Sequence, residues 1–329
     1  MQRANPARYS RTQPAFPTAR SVLKHAPEVN VEEGLDVRFW GVRGSLPSPG
    51  PETAMVGGNT ACVEVCGGGS RVILDAGSGI RALGDALMAK GEGEDLTILL
   101  SHVHWDHVMG LPFFAPLYAG KTPITIAAGP LGLPVASALE RQMSPPLFPV
   151  SYDAVRSRVR TVDLAADSHF RVGALTITML PLIHPDPVIA YRIAFGSSSV
   201  VYATDTEHVE GQLDERLLHF ARGADILIYD AQYTPEEYRG EVGPSRKGWG
   251  HSTFLAGAEL ARAANIKTLA LFHHDPRRTD AEVAAIVQRC REHFPSTVAA
   301  RENLSLRVEV PPSTVSRHRA ELQHVAALA

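Results

Sequence analysis

The chain has 329 residues, of which 44% are hydrophobic and 20% charged, so its composition is globular and excludes disorder over the whole length. Its 32 Lys and Arg against 35 Asp and Glu give a net charge of −3, whereas a protein that binds nucleic acid over its whole surface would be basic. Cys62, Cys66 and Cys290 are too few for a disulfide framework, and no apolar run reaches the length of about 18 residues that predicts a membrane span.

The ends of the chain differ in composition from its middle. Residues 1–34 begin with a basic, proline-interrupted stretch that has no acid before Glu28, which predicts a flexible tail without a secretory signal; an organellar transit peptide is the alternative. Residues 35–311 carry the strand and helix patterns and are predicted to form one folded domain. Residues 312–329 follow Pro311 and are predicted to form a C-terminal tail, compatible with one short helix.

The first half of the domain is rich in short strands separated by glycines. The triplet Gly67-Gly68-Gly69 predicts a hairpin turn, and the apolar spacing of 80–90 and 131–141 predicts helices. Strands are predicted at 37–40, 61–65, 71–75, 97–100 and 124–127.

The second half repeats this theme. Helices are predicted at 215–222, 253–264 and 280–294, with Ser252 or Thr253 and Asp280 as N-caps. Strands are predicted at 175–182, 188–194, 200–204, 226–229, 268–272 and 304–310. Because strands dominate each half and helices fall between them, we expect an α/β (α+β) fold with a two-sheet core and helices outside.

A dense cluster of candidate metal ligands follows the predicted strand 97–100. His102 and His104 lie two residues apart, so on an extended segment they point to the same side. Asp106 and His107 follow once the chain turns and can face a second position. Imidazole and carboxylate together suit Zn²⁺, Mn²⁺ or Fe rather than Ca²⁺.

Further candidates lie where later strands end. His184, Asp205 and the pair His273-His274 each follow a predicted hydrophobic strand. Strand ends on one edge of a sandwich can converge on one point, which predicts a shared metal site. Strand alternation leaves open whether His273 or His274 is the ligand, since adjacent residues face opposite sides.

The HxHxDH run at 102–107 resembles the signature of the metallo-β-lactamase-fold hydrolases, and Asp75 resembles their upstream structural aspartate. The resemblance covers roughly residues 37–310 and implies a four-layer αββα sandwich with the metal site at one sheet edge. It makes 35–311 a catalytic domain.

Other segments resemble particular branches of that family. Asp205 in Ala-Thr-Asp-Thr, His251 in Gly-His-Ser-Thr and the intervening Asp230 resemble the ribonuclease Z and phosphodiesterase branch. The segments WGVRGS at 40–45 and GGNT at 57–60 resemble bacterial proteins described as cyclic-nucleotide phosphodiesterase-like.

The resemblance implies two divalent metal ions, with Zn²⁺ favoured and Mn²⁺ or Fe as alternatives. The first would be held by His102, His104 and His184. The second would be held by Asp106, His107 and His273, with His274 as the rival of His273. Asp205 would bridge both ions, and Asp106 would also orient the attacking water.

The resemblance also suggests groups around the metals. His251 is the expected proton donor, tuned by Asp230 or Glu207; the alternative is a structural histidine, because a helix N-terminus disfavours imidazolium. Arg43 and Asn59 are expected substrate contacts, and a solvated or carboxylate-paired Arg43 is an equal alternative.

Three further expectations concern the surroundings of the site. Trp105 is expected to pack over the site and shield it. Phe113 and Phe114 are expected to belong to the core, with the lining of a substrate pocket as the alternative. Residues 240–250 are expected to form a flexible lid.

Together these features predict a dinuclear hydrolase, favoured as a phosphodiesterase that cleaves a cyclic nucleotide or similar small phosphodiester through a metal-bridging hydroxide. The alternatives are a ribonuclease Z-like RNA endonuclease, an ester, lactone or thioester hydrolase, and a metal-binding sensor without catalysis. The expected partner is the small phosphodiester, with RNA less favoured, no membrane, and a homodimer allowed by the resemblance. The expected compartment is the cytoplasm.

Overall fold

The computed structural model describes residues 34–91, 95–120, 122–166 and 168–309. Apart from Gly34, the tail predicted for 1–34 lies outside these residues, as does the tail predicted for 312–329. The strands are, in chain order, β1 (Gly34–Gly41), β2 (Cys62–Gly67), β3 (Ser70–Leu74), β4 (Leu96–Leu100), β5 (Ile124–Ala128), β6 (Val159–Asp163), β7 (His169–Val172), β8 (Leu175–Pro181), β9 (Ile189–Phe195), β10 (Ser198–Ala203), β11 (Ile226–Asp230), β12 (Thr268–Phe272), β13 (Thr297–Ala299) and β14 (Ser305–Glu309).

The helices lie mostly between the later strands of each sheet. They are α1 (Ile80–Lys90), α2 (Trp105–Val108), α3 (Pro116–Ala119), α4 (Val135–Gln142), α5 (Asp153–Arg156), α6 (Glu215–Ala221), α7 (Pro235–Arg239), α8 (Phe254–Ala263) and α9 (Asp280–His293). Within the described ranges, no helix is both long enough and apolar enough to cross a membrane.

The strands form two seven-stranded sheets of related design. The first has the order β14-β1-β2-β3-β4-β5-β6 and the second β13-β12-β11-β10-β9-β8-β7. In each sheet an antiparallel run leads into parallel strands, which are β3 to β6 in the first and β10 to β13 in the second. Parallel strands end at the same edge of a sheet, so the loops after β3, β4, β10, β11 and β12 can meet.

The sheets pack face to face because their strands alternate between two apolar sides. Val72 and Leu74 of β3 face the core between the sheets, whereas Ile73 faces the helices outside. In β10, Tyr202 faces the inter-sheet core and Val201 the outer helices. Each sheet therefore has one helical layer on its outer side, and the predicted αββα sandwich is confirmed.

Local predictions mostly agree with the observed elements. The helix predicted at 80–90 matches α1, and the glycine hairpin turns on Gly68 and Gly69, whose φ angles of 56° and 72° suit a primed turn. The predicted N-cap at Asp280 is wrong, because Thr279 caps α9 in a capping box with Glu282. The strands β6, β7 and β13 are not predicted, since they are three to five residues long and only partly buried.

Candidate metal centre

The polar side chains of the site lie just past the ends of parallel strands. The residues concerned are Asp75 after β3, His102 after β4, Asp205 after β10, Asp230 at the end of β11 and His273 after β12. Asp75, Asp205 and His273 have φ angles of 61°, 53° and 58°, in the left-handed region that non-glycine residues rarely adopt. Such backbone strain, typically about 1–3 kcal/mol for each residue, is concentrated at functional sites.

Four overlapping groups of possible ligands meet there, and two of them are the predicted triads. In the first, ligand atoms of His102, His104 and His184 lie within 4.8 Å of one another. The ring centroids of His102 and His104 are 4.5 Å apart, and those of His104 and His184 are 5.1 Å apart.

The second group is tighter. The Nε2 atoms of His107 and His273 lie 3.3 Å apart, and Asp106 Oδ2 lies 3.2 Å from His107 Nε2 and 3.1 Å from His273 Nε2. Burial favours a neutral Asp106, but His107 and His273 outweigh it and hold the pKa of this carboxyl well below its usual range. Asp106 is therefore ionised, as a metal ligand must be.

Asp205 lies between the two groups. Its Oδ1 is 3.7 Å from His102 Nε2 in the first group, and its Oδ2 is 3.2 Å from His107 Nε2 and 3.4 Å from His273 Nε2 in the second. The two oxygens of one carboxylate thus face opposite halves of the cluster.

The donor set fits divalent metal ions. His102 Nε2 is buried and has no hydrogen-bond partner among the described residues. Burial, with the neighbouring His107, lowers the pKa of His102 well below its usual range, so this ring is neutral and its lone pair is available. A buried unpartnered acceptor is costly unless something occupies it, and a metal ion among imidazoles and carboxylates would do so.

The other ring nitrogen of each histidine in the second group is held by a fixed partner. His107 Nδ1 donates to Asp75 Oδ2 (2.7 Å), and His273 Nδ1 donates to Gln232 Oε1 (2.9 Å). These hydrogen bonds set the ring orientation and leave Nε2 facing the cluster, which is how metal-binding histidines are commonly positioned.

A single residue, Asp186, fixes two rings of the first group. Its carboxylate Oδ2 lies 2.9 Å from His104 Nε2, and its backbone oxygen lies 3.0 Å from His184 Nδ1. His104 Nδ1 and His184 Nε2 are therefore the atoms left for a metal. Gly250 lies against the His184 ring so closely that any side chain there would collide with it.

Asp75 is the centre of a fully buried network. Its Oδ1 accepts from Ser101 N (2.7 Å), and its Oδ2 accepts from Ser101 Oγ (2.8 Å), His107 Nδ1 and Tyr202 Oη (2.7 Å). Tyr202 belongs to the second sheet and Asp75 to the first, so this hydrogen bond joins the sheets beneath the cluster.

His273, and not His274, enters the cluster. His274 turns the other way, and its Nε2 lies 2.9 Å from the backbone oxygen of Ala300. Burial lowers the pKa of His274 to about 4, so it is a neutral core residue.

His251 stands beside the cluster, between its two halves. Its ring centroid is 5.0 Å from that of His273 and 6.0 Å from that of His184. Its Nδ1 donates to Asp230 Oδ2 (2.8 Å). Burial disfavours the charged ring, but the Asp230 carboxylate outweighs burial and raises the pKa of His251 to about 9.

Glu207 holds the loop before His251 in place, whereas the prediction was that it adjusts the proton affinity of the His251 ring. Its carboxylate accepts from the backbone N–H groups of Gly248 (2.6 Å) and Gly250 (2.8 Å) and from Tyr238 Oη (2.8 Å). The loop predicted as a flexible lid is thereby tied down directly before His251.

Two predicted substrate contacts are engaged elsewhere. Arg43 is fully buried, and its guanidinium donates to the backbone oxygens of Gly57 (2.7 Å) and Arg278 (2.6 Å). Asn59 donates from Nδ2 to Glu302 Oε2 (3.1 Å). Arg43 therefore links two loops inside the protein, which corrects the prediction that it contacts substrate. The side-chain amide of Asn59 is likewise hydrogen-bonded within the protein.

Predictions for the aromatic residues are corrected in part. Trp105 is 77% exposed, so it does not shield the cluster by packing over it. Phe114 is fully buried as expected, but Phe113 is 58% exposed.

Sequence reasoning also missed Gln232, Asp186 and Tyr202, which hold ligands or their partners. Only Asp186 had a local signal, as an acid two residues after His184. Ser45, whose backbone N–H donates to Asp106 Oδ2 (2.7 Å), gave no signal of its own.

Comparison with known proteins agrees with this site. Residues 70–274, more than half of the chain, match the family model described as a beta-lactamase superfamily domain. The chain belongs to this superfamily. Divalent metal binding and hydrolase chemistry are therefore implied for it, and the predicted resemblance to the metallo-β-lactamase-fold hydrolases is confirmed.

Individual relatives are distant. Ribonuclease Z of Metallosphaera sedula is 26% identical over 260 residues, covering 64% of this chain and 84% of that protein. The structure of the metallo-β-lactamase-fold protein YhfI from Bacillus subtilis has a TM-score of 0.64 at 19% identity and covers 84% of this chain and 100% of its own. A diphosphatase from the PhnP family has a TM-score of 0.59 at 18% identity, covering 84% of this chain and 98% of its own.

Proposed function

We propose that the chain is a dinuclear metal-dependent phosphodiesterase that cleaves a small phosphodiester, with a cyclic nucleotide as the favoured substrate. The observation that carries this proposal is the pair of three-residue ligand groups joined by Asp205, with the hydrogen-bonded His251–Asp230 pair beside them. Such a centre suits an in-line displacement, in which charge develops on several oxygens at once.

The proposed ligands are those brought together in the two groups. One ion would be held by His102, His104 and His184, and the other by Asp106, His107 and His273, with Asp205 shared. Two divalent ions held there would supply Lewis acidity and make water nucleophilic near neutral pH. Zn²⁺ is proposed, with Mn²⁺ and Fe as alternatives, because the set contains imidazole and carboxylate without thiolate.

The protein's own side chains would then position the attacking water and protonate the leaving group. Asp106, held by the backbone N–H of Ser45, would orient the attacking water. The hydrogen bond to Asp230 leaves His251 Nε2 free, and the ring, when protonated there, would donate that proton to the departing alkoxide. Glu207 fixes the backbone on the N-terminal side of His251 and so limits movement of this donor.

Ribonuclease Z-like cleavage of RNA is the second candidate, since curated relatives of this chain bear that name. The basic residues of the 240–250 loop do not favour it. Lys247 pairs with Glu210 (2.8 Å) and Arg246 stacks on Trp249 (4.5 Å to the ring centroid), so neither forms an open strip for a phosphate backbone. Ester, lactone and thioester hydrolysis is weaker still, because nothing described selects a carbonyl carbon over phosphorus.

The test is hydrolysis by protein of measured metal content. Bis-p-nitrophenyl phosphate, 3′,5′-cyclic AMP, a single-stranded RNA oligonucleotide and a p-nitrophenyl carboxylic ester are compared, each with chelator and with Zn²⁺ or Mn²⁺ added back. Metal-dependent cleavage of the two small phosphodiesters supports the proposal. Cleavage of RNA alone moves the assignment to an endonuclease, and cleavage of the ester alone refutes phosphodiesterase activity.

The metal assignment is tested by a matched pair of variants. His273→Ala should lower the metal content, whereas His274→Ala should keep it and only lose stability, because His274 serves the core. Equal metal content in the two variants would refute the assignment of His273. The predicted homodimer and cytoplasmic location stay predictions.

A further inference from the structure

A strained turn carries Ser45 beside the metal centre. The backbone N–H of Leu46 donates to the backbone oxygen of Gly44 (2.7 Å), which closes a three-residue turn with Ser45 at its apex. The φ angle of Ser45 is 62°, and a three-residue turn with a positive φ at its central residue is rare and strained. Ser45 is also exposed to solvent, so the strained residue is accessible to a ligand.

Direct contacts join this turn to the second proposed ligand group. The backbone N–H of Ser45 donates to Asp106 Oδ2 (2.7 Å), and a side chain at Gly44 would collide with the His273 ring. The amide of Gln232 lies between the turn and that ring, because its Oε1 accepts from His273 Nδ1 (2.9 Å) and its Nε2 donates to Ser45 Oγ (3.4 Å). Ser45 is therefore hydrogen-bonded to one proposed ligand and, through one side chain, to another.

The hydroxyl of Ser45 has a donor that the protein does not use. A serine hydroxyl offers one O–H donor and two acceptor lone pairs. The amide nitrogen of Gln232 can only donate, so Ser45 Oγ is the acceptor in that contact and keeps its own proton. Across the described part of the chain, no acceptor takes this proton. Arg43 and Asn59, the contacts predicted for these loops, donate to oxygens of the protein instead.

We propose that Ser45 is a substrate-binding residue whose hydroxyl donates to a non-bridging oxygen of the substrate phosphate. The inference rests on the proposed phosphodiesterase function for the presence of a phosphate at the second ligand group. Negative charge grows on the non-bridging oxygens during an in-line displacement, and a donor fixed beforehand stabilises that charge. The strained turn has a reason in this role, because it holds the hydroxyl in place before substrate arrives.

The first test measures binding and needs no turnover. Inorganic phosphate is titrated by isothermal titration calorimetry into full-length protein of measured metal content. Ser45→Ala keeps the backbone N–H on Asp106 and removes only the hydroxyl, so it should keep its metal and bind phosphate about tenfold more weakly. Ser48→Ala is the matched control, since Ser48 Oγ donates to the backbone oxygen of Leu46 (3.3 Å), and it should bind phosphate like the wild type.

The second test identifies the contacted atom of the substrate. Thymidine 5′-(p-nitrophenyl phosphorothioate) is prepared as separate Rp and Sp isomers, each with sulfur in place of one non-bridging oxygen. Sulfur is a weak hydrogen-bond acceptor. Ser45→Ala should therefore lower kcat/KM about tenfold or more on the oxygen diester and on one isomer, and much less on the isomer whose sulfur faces the hydroxyl. An equal loss on both isomers overturns the contact.

The outcomes separate this contact from the proposed function. Equal phosphate affinity of the wild type and Ser45→Ala, or no phosphate binding by the metal-loaded wild type, overturns the contact and leaves any phosphodiesterase activity standing. Loss of metal in Ser45→Ala also overturns it, because the residue would then act only through Asp106. Phosphate binding that weakens in Ser45→Ala, with no phosphodiester cleaved, upholds the contact and refutes the phosphodiesterase.

Discussion

The hydrogen bond from Tyr202 to Asp75 gives a testable prediction. Tyr202 reaches the metal centre only through Asp75 and the His107 ring that Asp75 holds. Tyr202→Phe removes one hydroxyl and no apolar volume. Burial, together with Asp75, raises the pKa of the Tyr202 hydroxyl well above its usual range, so it is a donor at every practical pH. Its loss should therefore act on Asp75 and, through it, on the His107 ring.

The expected loss of stability in Tyr202→Phe follows from the number of hydrogen-bond donors to Asp75. Asp75 Oδ2 accepts from three groups, so the variant leaves it two, and Oδ1 keeps the N–H of Ser101. A hydrogen bond to a charged group contributes about 1.5–3 kcal/mol, and the lower end applies because the carboxylate is not left unsatisfied. A loss of about 1.5 kcal/mol lowers the Tm of a chain of this size by about 2–3 °C. Metal affinity should fall about tenfold, the lower limit for partners of metal ligands.

The matched control is Tyr191→Phe. Tyr191 is also fully buried between the sheets, but its hydroxyl donates to the backbone oxygen of Leu100 (2.7 Å). Both variants should lose stability when thermal unfolding is followed in chelator. Only Tyr202→Phe should lose affinity in a competition assay with a chromogenic chelator. If the two variants bind metal equally well, Tyr202 does not position His107, and the chain of contacts argued above is refuted.

Three other substitutions test the site. Asp205→Asn should lower the metal content below two ions per chain and abolish phosphodiester hydrolysis; a full complement of metal by mass spectrometry would rule out the shared carboxylate. His251→Gln should keep the metals but reduce kcat about 10²–10⁴-fold, with the larger loss on alkyl phosphodiesters whose leaving group needs a proton; an equal loss on p-nitrophenyl esters of phosphate would exclude proton donation. Arg43→Lys should lower stability by about 2–3 kcal/mol, since a fully buried guanidinium loses hydrogen bonds to backbone oxygens, and leave KM unchanged; a raised KM at unchanged stability would restore Arg43 as a substrate contact.

Part of the predicted ligand set has a local signal in the sequence. His102 and His104 stand out by their spacing after a strand, whereas their grouping with His184, and the choice of His273 over His274, came from the resemblance to the family. The residues that sequence reasoning missed owe their roles to contacts between segments far apart in the chain. The roles of Gln232 and Tyr202 arise only when one sheet docks on the other with a particular register, which no spacing along the chain encodes.

The same limit explains the error at Arg43. An arginine in a glycine-rich loop has the same appearance in sequence whether it faces solvent or crosses the interior. Its partners, such as the backbone oxygen of Arg278, lie more than two hundred residues away. The short strands β6 and β7 were missed for a related reason, since their pairing with longer neighbours, and not their composition, makes them strands.

The sharing of each ligand group between the two sheets has a consequence for biosynthesis. His102, His104, Asp106 and His107 follow a strand of the first sheet, whereas His184, Asp205 and His273 come from the second. In a nascent chain the first proposed ligand group is therefore incomplete until His184 has been made, and the second proposed group until His273 has left the ribosome. Occupation of both proposed groups would therefore wait until most of the chain has been made, and the bound ions would link side chains from the two sheets.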